Sequence, residues 1–230
     1  TGKAFERAAN AFEALVRNGD PESPDRGFRR TIAAAAYHLA GFSAVAYSLF
    51  NEMTGDLNES PGETAIQHLI LRDLGQLRGY VRDWLADEAH GDEQIAAALT
   101  GEEPDIDEAI STILNTTICR ALAHFDFALE TGEPEPIEIA RALLGTAVSL
   151  ADNAENVPLW WISNVCRHLI DDLWQHSLHQ TLPTDPPEGT EEKYPDLRRL
   201  FISSLYARKT SEVELWPSQR EAAQRSTDVT

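Results

Sequence analysis

The chain has 230 residues, 42% of them hydrophobic, which is enough for one large core or two small ones. Its 38 acidic and 19 basic residues give a formal net charge of −19, and such a segment does not grip the phosphate backbone of a nucleic acid by itself. The acidity favours solubility and attraction of a basic partner, although a simply solvated acidic surface accounts for it as well.

The cysteine usage and hydropathy indicate an intracellular chain without a membrane anchor. Cys119 and Cys166 lie in apolar helical patterns, so buried reduced thiols are favoured over a disulfide. The stretch from Thr31 to Phe50 comes closest to a membrane span, but His38 and two serines interrupt it. We also find no signal peptide. These features predict a cytoplasmic protein with no membrane partner.

Apolar residues recur at helical spacing through most of the chain, and glycines and prolines mark where each pattern stops. The predicted helices span 3–18, 24–53, 63–88, 92–99, 105–130, 136–153, 159–182 and 194–209. The loops between them include 54–62 and 101–104, and only Val213 to Trp216 has the pattern of a short strand. The sequence therefore predicts an all-α protein, an irregular bundle or solenoid of packed helix pairs.

Residues 183–192 carry three prolines and a glycine, and their composition predicts an exposed linker. The linker divides the chain into an N-terminal helical accessory domain, 1–182, and a second helical part, 193–230.

The most informative stretch is Glu214 to Ala222, near the end of the chain. Pro217 fits the first turn of a helix, where its missing N–H costs nothing. Gln219 then lies in that turn, and its amide carries a donor and an acceptor side by side. This pair matches the edge of adenine, which presents N6–H₂ as donor and N7 as acceptor.

The five residues Leu215 to Gln219, Leu-Trp-Pro-Ser-Gln, resemble the Q motif of superfamily 2 helicases, the DEAD/DEAH-box and Ski-type group. Two upstream stretches, 157–174 and 197–208, are similar to the helical region that precedes the motor in large bacterial members of this group. In the DEAD-box branch an aromatic residue 17 positions before the glutamine stacks on the base. Ile202 occupies that position here, with Phe201 adjacent, so the resemblance leans toward the Ski-type branch.

The resemblance implies a function for the whole protein. Gln219, with Trp216 and Pro217, would contribute to binding the adenine of ATP, and the full-length protein would use ATP and Mg²⁺ as cofactors. It would bind DNA or RNA through its motor domains, in a setting such as bacterial antiviral defence. The acidic helices would serve as a scaffold or as a docking surface for a protein partner.

A phosphate-binding loop of the form G-x-x-x-x-G-K-[ST] is not found in the 230 residues. We therefore expect a piece of a helicase that stops before the motor and is catalytically inert by itself. No catalytic residue and no metal ligand is assigned.

Residues Asp87 to His90 spell DEAH, the letters of a helicase motif that holds Mg²⁺ after a buried strand. Here the residues before them, Val81 to Leu85, have helical spacing. The letters also precede the adenine motif, whereas in the family they follow the phosphate loop. We interpret the match as a coincidence.

His168, Asp172 and His176 recur every four residues on one predicted helix, and this set could bind zinc with help from another helix. Because two helical turns separate the histidines by about 12 Å, a structural role is favoured. Trp160, Trp161 and Trp174 could stack on nucleic-acid bases, but their Leu- and Ile-rich surroundings favour core packing.

Basic residues concentrate toward the C-terminus, where they could touch phosphates or simply form a solvated face. They are Arg198, Arg199, Arg208, Lys209, Arg220 and Arg225.

Two alternatives to the helicase interpretation remain open. The first is a tetratricopeptide-like helical adaptor that binds a protein partner without any motor. The second is a helical-bundle metal enzyme built on His168, Asp172 and His176.

Overall fold

The computed structural model describes residues 2–52, 60–100, 104–186, 189, 192–208 and 212–215, with only the backbone at positions 51 and 52. These residues form eleven α-helices and a 3-10 turn at Glu88–His90. The α-helices are α1 (Gly2–Asn18), α2 (Arg26–Leu39), α3 (Ser43–Glu52), α4 (Pro61–Ile70), α5 (Leu74–Ala86), α6 (Asp92–Thr100), α7 (Ile106–Thr131), α8 (Glu135–Asn153), α9 (Val157–His176), α10 (Leu178–Thr181) and α11 (Tyr194–Tyr206).

Helices that follow one another along the chain pack together: α1 on α2, α2 on α3, α7 on α8 and α8 on α9. Helix α9 also contacts α2, α4 and α7, so it joins the N-terminal and the central pairs. The predicted all-α architecture of packed helix pairs is therefore confirmed. Within the described residues, no helix is both long and apolar enough to cross a bilayer.

Small residues allow two of these contacts to be close. The alanines of α2 at positions 33–36 are all buried. At the start of α4, the Gly62 N–H donates to Asn115 Oδ1 at 2.9 Å. A Cβ on Gly62 would lie 3.1 Å from Ile162 Cγ2, so α4 approaches α7 and α9 closely at this glycine.

The prediction of one helix over 24–53 is wrong, because the chain turns between α2 and α3. Gly41 has φ +91°, a left-handed conformation that glycine adopts without a steric penalty. The Gly41 N–H donates to His38 O at 2.9 Å and the Phe42 N–H to Tyr37 O at 2.8 Å. This pair of bonds is the Schellman motif that ends helices.

The prediction of one helix over 63–88 is wrong for a similar reason. Arg72 has φ +59°, and the Asp73 N–H donates to His68 O at 3.0 Å, so α4 also ends in a Schellman motif. The Asp73 carboxylate then accepts from Gln76 N at 3.3 Å and caps α5. Capping by Asp73 therefore starts a new helix, although the apolar residues keep their helical spacing across the break.

The helix predicted over 159–182 is also interrupted. Ser177 has the extended values φ −62° and ψ 158°, and its backbone pairs with Glu214 instead of continuing the helix. The predicted end of the helix over 105–130 is confirmed at Gly132, which has φ +78° and donates its N–H to Ala128 O at 2.8 Å.

Helix α11 packs against α7 through polar contacts and buried apolar side chains. The Ser203 hydroxyl donates to Glu130 O at 3.0 Å, and the buried Tyr206 donates its hydroxyl proton to the Asp126 carboxylate. These contacts attach residues 194–206 to the body formed by the preceding helices. The division at 183–192 into two parts stays a prediction.

Candidate functional site at the C-terminal anchor

The residues to which adenine binding was assigned, Trp216, Pro217 and Gln219, lie outside the described residues. Their role, and with it the use of ATP and Mg²⁺, stays a prediction. The structure does describe the four residues just before them, 212–215, and the contacts that hold this short segment define the candidate site.

The backbone of the segment is paired with the break between α9 and α10. Glu214 forms an antiparallel bridge with Ser177, and the Leu178 N–H donates to Val213 O at 2.8 Å. Val213 is buried. The interruption of the helix at Ser177 leaves the Leu178 N–H, in the first turn of α10, without a partner inside a helix, and this group makes the bond to Val213 O.

Apolar packing holds the last described residue. Leu215 packs against a small cluster formed by Leu178, Ile202 and Leu205. Since Ile202 and Leu205 belong to α11, the segment touches both α10 and α11. Residue 215, the last described one, is therefore held against the helical body.

Arg72 makes the side-chain contact that ties this segment to the N-terminal half of the chain. Its Nε donates to Glu214 Oε1 at 2.8 Å, and its Nη1 donates to Leu69 O at 2.9 Å. Both members of the ion pair are largely shielded from solvent, with side-chain exposures of 20% and 33%, so solvent screening weakens this pair less than a surface pair.

The second Arg72 amino group meets His38, with 3.1 Å between Nη2 and Nε2. A guanidinium has only N–H donors, so Nε2 must accept and the proton lies on Nδ1, 3.1 Å from Ser43 Oγ. His38 therefore donates to Ser43 and cannot remove its proton. Ser43, His38 and Asp172 lie in a row, in the order of a nucleophile, a base and a carboxylate. With the His38 proton on Nδ1, however, the histidine does not activate the Ser43 hydroxyl as a nucleophile.

Asp172 completes the polar cluster from the α9 side. Its carboxylate lies 3.7 Å from His38 Nε2 and 3.4 Å from His176 Nδ1. Burial would raise the pKa of Asp172, but its neighbours His38, His176 and the Arg72 guanidinium together outweigh burial and lower it. The carboxylate therefore stays ionised and balances the positive charge beside it.

We name the polar group of Arg72, His38, Asp172, His176 and Glu214 the anchor cluster. Its members come from α2, the turn after α4, α9 and the C-terminal segment. Within the cluster, Arg72 makes the contact with the C-terminal segment, through Glu214.

Sequence reasoning missed two members of this cluster, Arg72 and His38. The carboxylate of Asp73, followed by Gln76 three residues later, is a capping signal that would have placed the break at Arg72. The partnership of Arg72 with Glu214 spans 142 positions and has no local sequence signal.

The structure separates the histidines of the set that was considered for zinc. His168 packs edge-on against Phe5 of α1, with ring centroids 5.6 Å apart, whereas His176 faces Asp172. Among the residues that the structure describes, no group of three His, Cys, Asp or Glu side chains is arranged to hold a metal ion. The metal-enzyme alternative gains no support from this arrangement.

The DEAH letters lie on the 3-10 turn that follows α5. The Asp87 carboxylate accepts from Ala89 N at 2.9 Å, and the His90 ring stacks on Trp84 with centroids 3.4 Å apart. The helical spacing predicted before these letters is confirmed, and the aspartate caps the turn.

The predicted core roles of the tryptophans and cysteines are confirmed. Trp174 is buried, and Trp160 and Trp161 pack against the same core. Cys119 and Cys166 are buried and not disulfide-bonded. Burial raises the pKa of the Cys119 thiol to about 12, so it is not a nucleophile near neutral pH.

Two of the basic residues of the C-terminal part, Arg198 and Arg208, already have partners within the chain. Arg198 donates to the carbonyl oxygens of His179, at 2.7 Å, and Leu182, at 3.1 Å, so it caps α10. Arg208 pairs with Glu212 at 2.8 Å. Lys209, Arg220 and Arg225 lie outside the described residues. A phosphate-binding role for this group stays a prediction.

Comparison of the chain with models of known protein families gives no match, and a search of curated proteins gives no match either.

Proposed function

We propose that the chain is the helical part that precedes the motor of an ATP-dependent superfamily 2 helicase, and that it positions an adenine-binding glutamine, Gln219. The resemblance of residues 215–219 to the Q motif motivates the proposal. The observation that carries it is the anchoring of residues 212–215 by the bridge to Ser177 and by the Arg72–Glu214 ion pair.

The anchor limits where the glutamine can go. Gln219 is four residues beyond Leu215, and four residues span at most about 14 Å. A base bound by Gln219 would therefore lie close to the helical body. In the proposed function, the anchor cluster couples the conformation of the helical body to nucleotide binding, and nucleotide binding to the conformation of the helical body.

The experiment uses the natural protein with whatever sequence follows Thr230. The expected result is ATP hydrolysis that DNA or RNA stimulates, and Gln219→Ala raises KM for ATP about tenfold because the amide loses two hydrogen bonds to the base. Gln224→Ala, five residues further on, is the matched control and leaves KM unchanged. Absence of a phosphate-binding loop beyond Thr230, or of any ATP hydrolysis, would end the proposal.

A helical adaptor without a motor is the second candidate. It is favoured by the exposed apolar face of α11, where Leu197, Leu200 and Phe201 are each more than half exposed. The two candidates differ in ATP hydrolysis by the natural protein, and both use the helical body as a docking surface for a protein partner.

A further inference from the structure

A groove of about 450 Å³ lies where α11 meets the turn between α7 and α8. Phe127 and Pro136 contribute apolar surface to it, and Arg199 and Ser203 line it from α11. Phe127 is 52% exposed, although aromatic side chains normally bury most of their surface.

An uncovered apolar stripe also lies on α11. Leu197, Leu200 and Phe201 have exposures of 56%, 68% and 53%, and their i, i+3, i+4 spacing puts them on one face of the helix. The opposite face, which includes Ile202, is buried. Leu200 precedes Ser203 by three residues, so Leu200 is the member of the stripe that lies beside the groove.

Acidic side chains surround the groove. Glu130, Glu133 and Glu135 line it, and Arg199 is the cation among its lining residues. The chain as a whole carries −19, which opposes association with a second copy, with anionic lipid or with nucleic acid. The charge that complements this surface is positive.

We propose that the groove and the α11 stripe form a docking surface for a cationic amphipathic helix of a protein partner. The apolar face of that helix covers Phe127 and Leu200, and its Lys or Arg side chains pair with the three glutamates. A helix laid in an apolar groove and anchored at i, i+3 and i+4 positions is a common mode of recognition. This surface is a specific form of the protein-docking role in the proposed function, and binding of the partner helix does not require a motor.

The test uses three synthetic peptides of about 18 residues, roughly five helical turns. One has a leucine stripe flanked by lysines, the second has the same stripe flanked by glutamates, and the third has the composition of the first in scrambled order. Fluorescence anisotropy with the whole chain measures each affinity. The expected result is binding of the first peptide at least about tenfold tighter than either of the others.

Two variants remove the charge and the apolar surface separately. The triple substitution Glu130→Gln, Glu133→Gln, Glu135→Gln is expected to weaken binding about tenfold, because it removes three ion pairs that each contribute modestly. The double substitution Phe127→Ser, Leu200→Ser is expected to weaken binding by a similar factor. All affinities are measured at the same salt concentration.

Each variant has a matched control on other surfaces. Glu22→Gln, Glu93→Gln, Glu155→Gln removes the same charge from exposed sites, and Ile106→Ser, Val157→Ser replaces exposed apolar residues at helix starts. Both controls should keep the affinity within about twofold.

Equal weakening by the control triple, or equal binding of the scrambled peptide, would show non-specific charge attraction and overturn the proposal. Absence of binding at about 100 µM peptide would overturn it too. ATP hydrolysis by the natural protein is read separately, so failure of the docking surface is distinguishable from failure of the helicase assignment.

Discussion

Arg72 combines an unfavourable backbone conformation with three side-chain contacts. At φ +59° its Cβ crowds the backbone, a cost that glycine avoids. The guanidinium nevertheless joins Glu214, His38 and the carbonyl of Leu69. Because of these three contacts, we expect the Arg72 side chain to compensate for the local strain.

Substitution of Arg72 separates these two effects. Arg72→Ala keeps the strain and loses the contacts, so the free energy of unfolding should fall by about 1–3 kcal/mol. Arg72→Gly loses the same contacts but removes the strain, so it should recover about 1 kcal/mol of that loss. Urea unfolding followed by circular dichroism measures both differences.

Glu155 provides the control, because it has φ +54° and an exposed side chain. Glu155→Gly should stabilise the protein by about 1 kcal/mol, since strain is relieved and little contact is lost. If Arg72→Gly also stabilised the protein relative to the natural chain, the Arg72 contacts would have no net value and the anchor cluster would not hold residues 212–215.

Glu63 is a buried residue whose environment opposes its charged form. Ser60 Oγ donates to one carboxylate oxygen at 3.2 Å, while Oε2 is buried and has no hydrogen-bond partner among the described groups. Burial raises the pKa of Glu63 to about 7, and the bonds to Ser60 and the charge of Arg30 only partly offset it.

The raised pKa gives a pH dependence of known sign. The folded state keeps the Glu63 proton up to about pH 7, whereas the unfolded chain releases it near the ordinary value of 4.5. The free energy of unfolding should therefore fall as the pH rises through this window. Glu63→Gln mimics the protonated form and should be more stable than the natural chain at pH of about 8, by up to about 3 kcal/mol.

Urea titrations at several pH values test this prediction. The difference in stability between the Glu63→Gln protein and the natural chain should be small near the lower end of the window and grow toward neutral pH. The exposed Glu93→Gln is the control and should follow the natural chain. A constant difference at every pH would show that folding does not raise the pKa of Glu63.

At the scale of elements, the turn after α7 depends on the missing side chain of Gly132. The residue has φ +78°, and a Cβ there would lie 2.6 Å from His179 Cε1. The ring has little freedom to move away, because its Nε2 lies 2.9 Å from Leu129 O. The turn thus brings α7, α8 and α10 together at one glycine.

Gly132→Ala should lower the free energy of unfolding by about 2–4 kcal/mol, from backbone strain and steric overlap together. Gly41→Ala isolates the strain, since Gly41 has φ +91° and a Cβ there would meet no described atom within 4 Å. Its expected cost is about 1 kcal/mol. Equal costs for both substitutions in urea unfolding would contradict the steric role of His179.

Sequence patterns predicted the helices well and their interruptions poorly. Gly132 followed by Pro134 ends α7 where expected, because both residues act locally. The break at Ser177 depends on a bridge to Glu214, 37 positions away by residue number, and a local pattern does not contain it. The anchor cluster was missed for the same reason, since the spatial neighbours of Arg72 are distant in sequence.

The attachment of the C-terminal segment is also testable at this scale. The Leu178 N–H is held by Val213 O at 2.8 Å, so its hydrogen exchange reports docking of residues 212–215. Glu214→Ala removes the partner of Arg72 and should speed exchange at Leu178 about tenfold. Glu212→Ala, which removes an exposed pair with Arg208, should leave exchange unchanged. The reverse pattern would contradict the anchor.

At the scale of the whole molecule, α11 contacts residues that precede the 183–192 segment. Tyr206 is 2% exposed and reaches Asp126 across this segment, and Arg78 lies over the Tyr206 ring, with Cζ 4.8 Å from its centroid. Ile202 is 2% exposed as well. These contacts predict that α11 unfolds together with the helices it covers.

A chain shortened to residues 1–186 tests this coupling. Loss of the Tyr206 and Ile202 side chains removes burial worth about 1.5–3 kcal/mol each, so the shortened chain should be less stable by about 3–6 kcal/mol. The full 230-residue chain should unfold in urea with coincident fluorescence and circular dichroism transitions. If the shortened chain kept the stability of the full one, α11 would belong to a separate unit and the anchor would join two independently folded parts.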